Sequence, residues 1–413
     1  MKIAMVSEHA SPLAAIGGVD AGGQNVHVAA LASALADRGH RVTVFTRRDG
    51  TELPERVRMR RNVVVEHLDA GPPRPIGKDH LREFVPELAR DLAARLDRLQ
   101  PAVVHGHFWM SGLAAVQAAR DLDVAVVQTF HALGSVKKRM QGAADTSPRS
   151  RLEDERGVAR DVDRIVASCT DEVRELMAMG AHFARIDVVP SGVDTSRFRP
   201  DGVVAPRTRR PRLLVVGRLV PRKGVDDAIA TLRPLPDAEL VVAGGPDARE
   251  LAGDAEARRL QALAEQFGVA GRVRMVGQVP HTDLPALIRS ADVVLCLPWY
   301  EPFGIVALEA MACGVPVVGT AVGGLLDTVQ DGRTGALLPP RQPEAAARAV
   351  AELLADDERR RQFGAAGRLR ATKYTWDRVA AMTERTYLRA VDQASAAPAV
   401  RHPGFNVSQE SVG

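Results

Sequence analysis

Short apolar runs rich in β-branched residues alternate with helical patterns along the first half of the chain. Runs of this kind predict strands at 3–6, 42–45, 103–105, 124–128, 164–168 and 186–189. Apolar residues at helical spacing predict helices over 25–38 and 81–99. This alternation is typical of βαβ units, in which parallel strands are joined by helices.

The alternation stops once, at a segment rich in proline and charge, and then starts again. This segment, 196–211, has no apolar periodicity, and we interpret it as a linker. Beyond it, strands are predicted at 213–216, 240–243, 273–276, 293–297 and 315–318, and helices at 343–355, 357–370 and 376–393. The sequence therefore predicts an α/β fold with domains at 1–195 and 212–375, a C-terminal helix at 376–393 and a frayed tail at 394–413.

Composition places the chain among globular proteins and argues against several structural classes and partners. Of 413 residues, 46% are hydrophobic and 26% charged, which excludes a disordered or coiled-coil body. The 55 Lys and Arg residues outnumber the 51 Asp and Glu residues by only four, too weak a field to predict a nucleic-acid partner. No apolar run is long enough to predict a membrane segment. Three widely separated cysteines spell no disulfide framework, so a cytoplasmic location is expected.

Two cations follow the first strand of the second half. Arg218 comes just past that strand, and Lys223 stands where the next helix is expected to start. Ligands of open α/β sheets bind beyond the carboxyl ends of strands, where helix N-termini favour anions. A diphosphate there would gain charge-assisted hydrogen bonds from both residues. Taken alone, the same stretch fits a solvated surface pair equally well.

Two carboxylates lie eight residues apart after the predicted strand 293–297. Pro302 and Gly304 favour a loop around Glu301 and a helix that begins later and carries Glu309. The two acids can then face different parts of one ligand. Carboxylates accept hydrogen bonds from vicinal hydroxyls, so a sugar and a ribose are natural partners. Taken one at a time, each residue also fits a structural role: Glu301 as an acid that caps the helix, and Glu309 as an exposed acid on the helix surface.

These residues belong to a wider set of motifs. The set includes Gly22-Gly23, the stretch 105–109, Thr129-Phe-His131, the stretch 188–194 and Gly323-Gly324. With this set, the chain resembles the retaining family 4 glycosyltransferases of the GT-B fold, a group that contains sucrose-phosphate synthases and mycothiol-pathway enzymes. The resemblance implies two doubly wound Rossmann-like domains that face each other across a cleft. It also implies that the C-terminal helix packs back on the N-terminal domain.

The resemblance implies roles for the charged residues on the donor side. Arg218 and Lys223 match the pair that binds the donor diphosphate. Glu301 matches the acid that contacts hydroxyls of the donor sugar. Glu309 matches the acid that holds the ribose.

Further donor contacts are implied around the same cleft. The main-chain N–H groups of Phe303, Gly304 and Ile305 match those that line the sugar and phosphate site. His131 matches the histidine near the 6-hydroxyl of the sugar. Gly23 matches the glycine beside the phosphate and the acceptor.

The N-terminal domain is the acceptor side in this family. Among its many basic residues, Lys78, Lys138 and Arg151 are candidates for holding a phosphate on the acceptor. Ala132 stands where some relatives have threonine, an acceptor-side contact, so the acceptor itself does not carry over.

The predicted function is retaining transfer of a hexosyl group from a nucleoside diphosphate sugar, with a UDP-sugar favoured. The receiving group is a hydroxyl of a small acceptor, which can carry a phosphate. No metal or cofactor is expected, since Asp161-Val-Asp163 precedes a predicted strand and is interpreted as a solvated helix end. A sugar-nucleotide 2-epimerase or hydrolase, and a non-catalytic sugar-nucleotide sensor, are the alternatives.

Overall fold

The structure, a computed structural model, describes residues 1–14 and 22–396. The described part of the first half contains eight strands: β1 (Lys2–Val6), β2 (Arg41–Arg47), β3 (Arg56–Arg60), β4 (Val63–Leu68), β5 (Val103–His107), β6 (Ala125–Thr129), β7 (Arg164–Ala167) and β8 (Ile186–Val188). In the described part of the chain they form one sheet in the order β3-β4-β2-β1-β5-β6-β7-β8. Neighbours pair in parallel except β3 with β4.

Helices cover both faces of this sheet. They are α1 (Gly23–Asp37), α2 (Val85–Leu99), α3 (Trp109–Ala119), α4 (Gly134–Gln141), α5 (Arg151–Asp161) and α6 (Thr170–Ala178). Along β1, Ile3 and Met5 pack with α1, whereas Ala4 and Val6 pack with α2 and α3. Since successive side chains of a strand point to opposite faces, a strand buried on both faces is apolar throughout.

The second half builds a smaller sheet of the same kind. Its strands are β9 (Arg212–Val216), β10 (Glu239–Ala243), β11 (Val273–Gly277), β12 (Val293–Cys296), β13 (Val317–Thr320) and β14 (Gly335–Leu338). All its pairs are parallel, in the order β11-β10-β9-β12-β13-β14. Its helices are α7 (Val225–Thr231), α8 (Ala255–Gln266), α9 (Leu284–Arg289), α10 (Ile305–Ala312), α11 (Gly324–Thr328), α12 (Pro343–Ala355) and α13 (Asp357–Ala371). Two doubly wound sheets therefore form the molecule, as predicted.

The last helix, α14 (Trp376–Ala396), returns to the first sheet. Its Val379 and Tyr387 are buried in the same apolar cluster as Val28 of α1 and Val44 of β2. The chain crosses to it beside the earlier crossing, since Val193 N–H donates to the Tyr374 carbonyl at 2.8 Å. The C-terminal helix therefore packs on the N-terminal sheet, as the resemblance implied. None of the helices in the described ranges is long and apolar enough to span a membrane.

Several elements differ from the sequence predictions. Strands β3, β4 and β14 were not predicted, and neither were helices α3, α4, α5, α6, α8, α9 and α11. The helix predicted over 81–99 starts at Val85, after two 3₁₀ turns, and the strand predicted at 315–318 lies at 317–320. The last helix continues to Ala396, past the start of the tail predicted at 394–413. Residues 397–413 lie outside the described residues. No helix or strand occupies 196–211, and the domain boundaries stay a prediction.

We expect a Tyr387→Phe substitution to lower the free energy of unfolding by about 1–3 kcal/mol, the range for a buried polar group left unpaired. The Tyr387 hydroxyl is joined to Nδ1 of His105 at 2.8 Å, and both side chains are fully buried. Urea unfolding measures the change. Leu388→Ala is the matched control, because Leu388 lies on the same helix and is 49% exposed. Equal stability of wild type and Tyr387→Phe would show that the hydrogen bond contributes nothing.

Candidate active site

A cavity of about 960 Å³ lies between the carboxyl ends of the two sets of strands. Its walls include the segments that follow β1, β5 and β6 on one side and β9 and β12 on the other. Of the site residues predicted from the sequence, all except Lys138 line it: Gly23, Lys78, His131, Arg151, Arg218, Lys223, Glu301, Phe303, Gly304, Ile305 and Glu309. The topology thus brings one cluster together from distant parts of the chain.

Lys223 reaches this cavity from a short turn, not from a helix as predicted. It ends a 3₁₀ turn, Pro221–Lys223, just before α7. Gly224 follows with φ +66°, and a Cβ there would lie 1.9 Å from the Leu297 carbonyl oxygen. Glycine is therefore required at this position, because any side chain would push the turn away from the loop after β12.

Lys223 and Glu301 contact each other directly. The ammonium Nζ lies 2.5 Å from Oε2 of Glu301, and the two side chains are 20% and 14% exposed. Burial raises the pKa of Glu301, but the charges of Lys223 and Arg222 outweigh it and hold that pKa below its ordinary value. Glu301 is therefore ionised at neutral pH, and the pair can open toward a ligand that replaces both contacts.

Glu301 lies in a loop and Glu309 on a helix, as the sequence predicted. Gly304 is the N-cap of α10 and has φ +69°, so the chain turns into the helix at this glycine. The N–H groups of the first turn have no intrahelical partners and can donate to an anion. Glu309 lies one turn beyond Ile305 and is 4% exposed. One loop and one helix therefore present two carboxylates and a row of donors to the same cavity.

Glu309 is held by a histidine that the sequence analysis did not single out. Oε1 of Glu309 lies 2.8 Å from Nε2 of His281, and Arg197 Nη1 lies 3.0 Å from Nδ1 of the same ring. Because the guanidinium can only donate, Nδ1 accepts and Nε2–H donates to the carboxylate. Burial raises the pKa of Glu309, whereas His281 lowers it. The only sequence signal was the position of Val279-Pro280-His281 just after a predicted strand.

We expect His281→Ala to raise the donor KM by about tenfold if Glu309 binds the ribose, since hydrogen bonds to charged groups are the strong ones. Without His281, the pKa of Glu309 rises further, so the acid limb of donor affinity moves to higher pH. Steady-state kinetics across a pH series measures both. His182→Ala, an exposed histidine away from the cavity, is the control. An unchanged donor KM and acid limb would contradict this role.

His131 lies where the two halves of the molecule meet. It follows β6 with φ +60°, is 4% exposed, and its Nε2 lies 2.9 Å from Nδ1 of His107. Its ring packs against Phe303 at 5.2 Å between centroids. Burial lowers the pKa of His131 and of His107 well below the ordinary value, so both rings are neutral. Nδ1 of His131 is buried and has no hydrogen-bond partner among the described residues.

The predicted acceptor cations are only partly brought together. Arg151 is buried and paired with Glu155 at 2.8 Å, and Lys78 also lines the cavity. Lys138 is exposed and does not line it; its neighbour Lys137 does, with Nζ 3.0 Å from Asp145. Adjacent residues on a helix point about 100° apart. Lys137 therefore lines the cavity, whereas Lys138, the residue predicted from the sequence, does not.

The acidic pair interpreted as a solvated helix end, Asp161 and Asp163, has local partners. Asp161 pairs with Arg160, and Asp163 Oδ2 accepts from the Val126 N–H at 2.7 Å. Across residues 1–14 and 22–396, no group of three or more His, Cys, Asp or Glu side chains is arranged to hold a metal ion.

Contacts between the halves frame the cleft. Ser168 Oγ donates to the Pro302 carbonyl at 3.1 Å, and the N–H and hydroxyl of Thr170 both donate to Asp327, at 2.6 and 2.7 Å. The ring of Phe303 stacks on His27 from the first half. The donor-side loop at 301–305 therefore contacts the first half directly.

Comparison with known proteins identifies the family. Residues 21–197 match the model described as Glycosyltransferase Family 4, and residues 201–370 match the model described as Glycosyl transferases group 1. A D-inositol 3-phosphate glycosyltransferase from Xylanimonas cellulosilytica is 37% identical over 414 residues, covering 96% of this chain and 98% of that protein. The chain belongs to the family 4 glycosyltransferases of the GT-B fold.

Solved structures agree with this assignment. Sucrose-phosphate synthase from Thermosynechococcus elongatus superposes on the glycosyltransferase with a TM-score of 0.87 at 31% identity, covering 94% of this chain and 98% of that one. HepE from Anabaena, solved in complex with UDP, gives a TM-score of 0.73 at 18% identity, over 94% of this chain and 99% of that one. The latter shows the shared fold alone.

Proposed function

We propose that this glycosyltransferase moves a hexosyl group from a UDP-sugar to a hydroxyl of a small phosphorylated acceptor, with retention of anomeric configuration. The observation that carries the proposal is the contact of Lys223 with Glu301 beside the N-terminus of α10, in a cavity that also holds Glu309. Relatives named for a D-inositol 3-phosphate acceptor support the phosphorylated acceptor.

The donor is expected to bind the second half in one orientation, with its ribose at Glu309 and its sugar at Glu301. Its ribose hydroxyls donate to Glu309, which lies deep in the cavity and is held by His281. Its diphosphate meets Arg218, Lys223 and the N–H groups at 303–305. The sugar then lies at Glu301, between the two halves. These contacts neutralise the diphosphate and leave the anomeric carbon facing the first half.

Retention is carried over from the family, and the acids in the cavity argue against a double displacement through a covalent intermediate. Among the described residues that line the cavity, the carboxylates are Glu301 and Glu309. Glu301 is paired with Lys223, and Glu309 is engaged by His281, so neither is placed as a nucleophile. We propose instead that the bond from the anomeric carbon to the phosphate oxygen breaks while the acceptor oxygen adds on the same face. The acceptor proton goes to the departing phosphate, whose charge Arg218 and Lys223 stabilise.

The acceptor phosphate is assigned to the opposite wall. Arg151, Lys78 and Lys137 line the cavity there, and the Arg151 guanidinium lies 5.2 Å from the Phe108 ring centroid. Arg151 also donates to the Ala132 carbonyl at 2.7 Å, which fixes the guanidinium in place. A bidentate guanidinium with two ammonium groups suits a phosphate monoester.

The proposal is tested by a product assay. UDP-glucose is incubated with D-inositol 3-phosphate, with other phosphorylated polyols and sugars, and with the phosphate-free form of each. We expect UDP release to require an acceptor, to favour the phosphorylated form, and to give an α-configured product by NMR. Epimerised sugar nucleotide, or hydrolysis at the same rate without acceptor, would favour the epimerase or hydrolase alternative. Binding of UDP-glucose without any turnover would favour a sensor.

We also propose a cytoplasmic location. Cys169, Cys296 and Cys313 are all free thiols. Cysteines left unpaired are typical of reducing compartments. Recovery of the protein in the soluble fraction of its native host tests this.

A further inference from the structure

A serine of the first half holds the loop that carries the donor-side residues. Ser168 comes directly after β7 and is buried, and its Oγ lies 3.1 Å from the carbonyl oxygen of Pro302. Pro302 lies between Glu301 and Phe303, in the loop before α10. Within residues 1–14 and 22–396, no other hydrogen-bond donor reaches that carbonyl. The loop is therefore anchored to the first half at this peptide.

The anchored carbonyl fixes the direction of a main-chain N–H on the donor side. The Pro302 carbonyl and the Phe303 N–H belong to one planar peptide group, which is trans. In a trans peptide the C=O and N–H bonds point in opposite directions. Phe303 lines the cavity, and its N–H donates to no group in the described part of the chain. The contact with Ser168 therefore sets the direction in which the Phe303 N–H can donate.

The Ser168 hydroxyl has two acceptors within reach but only one hydrogen. Oε2 of Glu172, on α6, accepts from the Ser168 N–H at 2.6 Å and also makes a short contact with the Ser168 hydroxyl. An ionised Glu172 can only accept, so the hydroxyl hydrogen then goes to Glu172 and Pro302 loses its donor. A protonated Glu172 donates from Oε2 to the Ser168 oxygen. The hydroxyl hydrogen is then released to the Pro302 carbonyl.

The surroundings of Glu172 favour its protonated form. Glu172 is 2% exposed, and its second oxygen, Oε1, is buried without a hydrogen-bond partner among the described residues. A buried charge with a bare oxygen is costly, whereas the neutral acid is not. Burial raises the pKa of Glu172, and the two hydrogen bonds from Ser168 lower it less. The neighbouring carboxylates of Glu155 and Asp171 raise it further.

The other charged groups around Glu172 do not stabilise its ionised form. Titratable groups of the same cluster are Cys169, Glu175, Tyr300 and Asp327. The arginines on the packed helices and strands are paired with other acids: Arg151 with Glu155, Arg139 with Glu175, and Arg164 with Asp187. In the described part of the chain, no lysine or arginine forms an ion pair with Glu172.

We propose that Ser168 and Glu172 form a proton-dependent relay that orients the Phe303 N–H toward the phosphates of the donor. Both are positioning residues, because they act through the peptide that joins Pro302 to Phe303. Protonation of Glu172 completes the relay, and ionisation of Glu172 turns the Ser168 hydroxyl away from the loop. This inference rests on the proposed function in one respect, which is the placing of the donor phosphates at the N–H groups of 303–305.

The relay couples donor binding to proton binding. Since coupling is reciprocal, a donor that uses the Phe303 N–H favours the protonated form of Glu172 and takes up protons when it binds. The contribution of the relay is present below the raised pKa of Glu172 and is lost as the pH rises through it. We therefore expect affinity for UDP-glucose to fall about three- to tenfold on the alkaline side, the scale of one hydrogen bond.

Calorimetry with UDP-glucose tests the coupling. Titrations across a pH series, in buffers of different ionisation enthalpy, give both the affinity and the number of protons taken up. UDP-glucose is the probe because UDP has a terminal phosphate that itself titrates near neutral pH. We expect the wild-type protein to take up protons on binding and to lose affinity as the pH rises. Binding without proton uptake, at an affinity that does not fall on the alkaline side, would overturn the relay.

Two variants separate the relay from other titrating groups. In Glu172→Gln, the amide oxygen keeps the Ser168 N–H and hydroxyl, so Pro302 lacks its donor at every pH. In Ser168→Ala, the hydroxyl is gone. Both variants should bind UDP-glucose as the wild type does at alkaline pH, without the proton uptake of the relay. Glu175→Gln is the matched control, because Glu175 lies on the same helix and its Oε2 accepts from the Ser135 hydroxyl at 3.3 Å. A wild-type pH profile in both relay variants would overturn the proposal.

The relay also has a readout that needs no donor. The full chain is labelled with ¹⁵N at its ten phenylalanines, and the Phe303 amide signal is identified by its absence from Phe303→Leu. This signal should shift with pH in the wild type and stay constant in Glu172→Gln. A Phe303 signal that does not titrate in the wild type would overturn the relay. Wild-type protein that binds UDP-glucose with proton uptake but transfers to no acceptor would instead overturn the proposed function and support the relay.

Discussion

Replacing Lys223 with alanine is expected to lower kcat by about 30- to 1,000-fold, which corresponds to about 2–4 kcal/mol of transition-state stabilisation. The ammonium lies in the turn before α7 and contacts Glu301 at 2.5 Å. In the proposed mechanism, it stabilises the charge that develops on the departing phosphate. The loss also leaves Glu301 without its closest cation, so its pKa rises. Steady-state kinetics with UDP-glucose and the acceptor identified in the product assay measures the effect.

Lys138→Ala is the matched control for this experiment. Lys138 is an exposed lysine outside the cavity, and its loss should leave kcat unchanged. In the double variant Lys223→Ala, Glu301→Gln, the losses should not add, because the two side chains form one contact. A folded Lys223→Ala protein with wild-type kcat would remove Lys223 from the mechanism.

Substitutions at Glu301 and Glu309 are expected to have different kinetic effects. In the proposed role of Glu301, Glu301→Gln weakens hydrogen bonds to the donor sugar, whose shape and charge change as the glycosidic bond breaks, so the main effect should be a fall in kcat. In the proposed role of Glu309, Glu309→Gln weakens ribose hydrogen bonds that are the same in the ground state and the transition state. Its main effect should be a raised donor KM with a modest loss of kcat.

Calorimetry with UDP tests the same assignment without turnover. UDP lacks the sugar, so only Glu309→Gln should weaken its binding appreciably. The network around Glu309 reinforces this expectation, because the His281 N–H can still meet the amide oxygen but no longer a charge. Equal weakening in both variants, or weakening confined to Glu301→Gln, would reverse the two roles.

The sequence predicted most of the fold because parallel strands buried on both faces are continuous apolar runs. This condition fails in β3 and β4, two of the strands it missed. In β3, arginines at 56, 58 and 60 are exposed on an antiparallel edge, and β4 includes Glu66 and His67. Tertiary pairing with a neighbouring strand, rather than local pattern, determines such elements.

The donor-side residues of the site could also be predicted from the sequence, because they follow strands at recognisable motifs. The residues that hold them in place could not be predicted. His281 meets Glu309 only after β11 and α10 pack together. The choice between Lys137 and Lys138 depends on how α4 is rotated about its axis, which a polar helix does not encode in its pattern.

The return of α14 to the first sheet has a consequence for biosynthesis. The apolar face of β1 and β2 that receives Tyr387 is formed from the start of the chain, but its cover is translated only after the entire second sheet. Until then Val28 and Val44 lack part of their cover on the growing chain. The second sheet, in contrast, has all of its strands and helices in one continuous stretch. We therefore expect the later-translated half to reach its final packing first, and the earlier half to complete its core last.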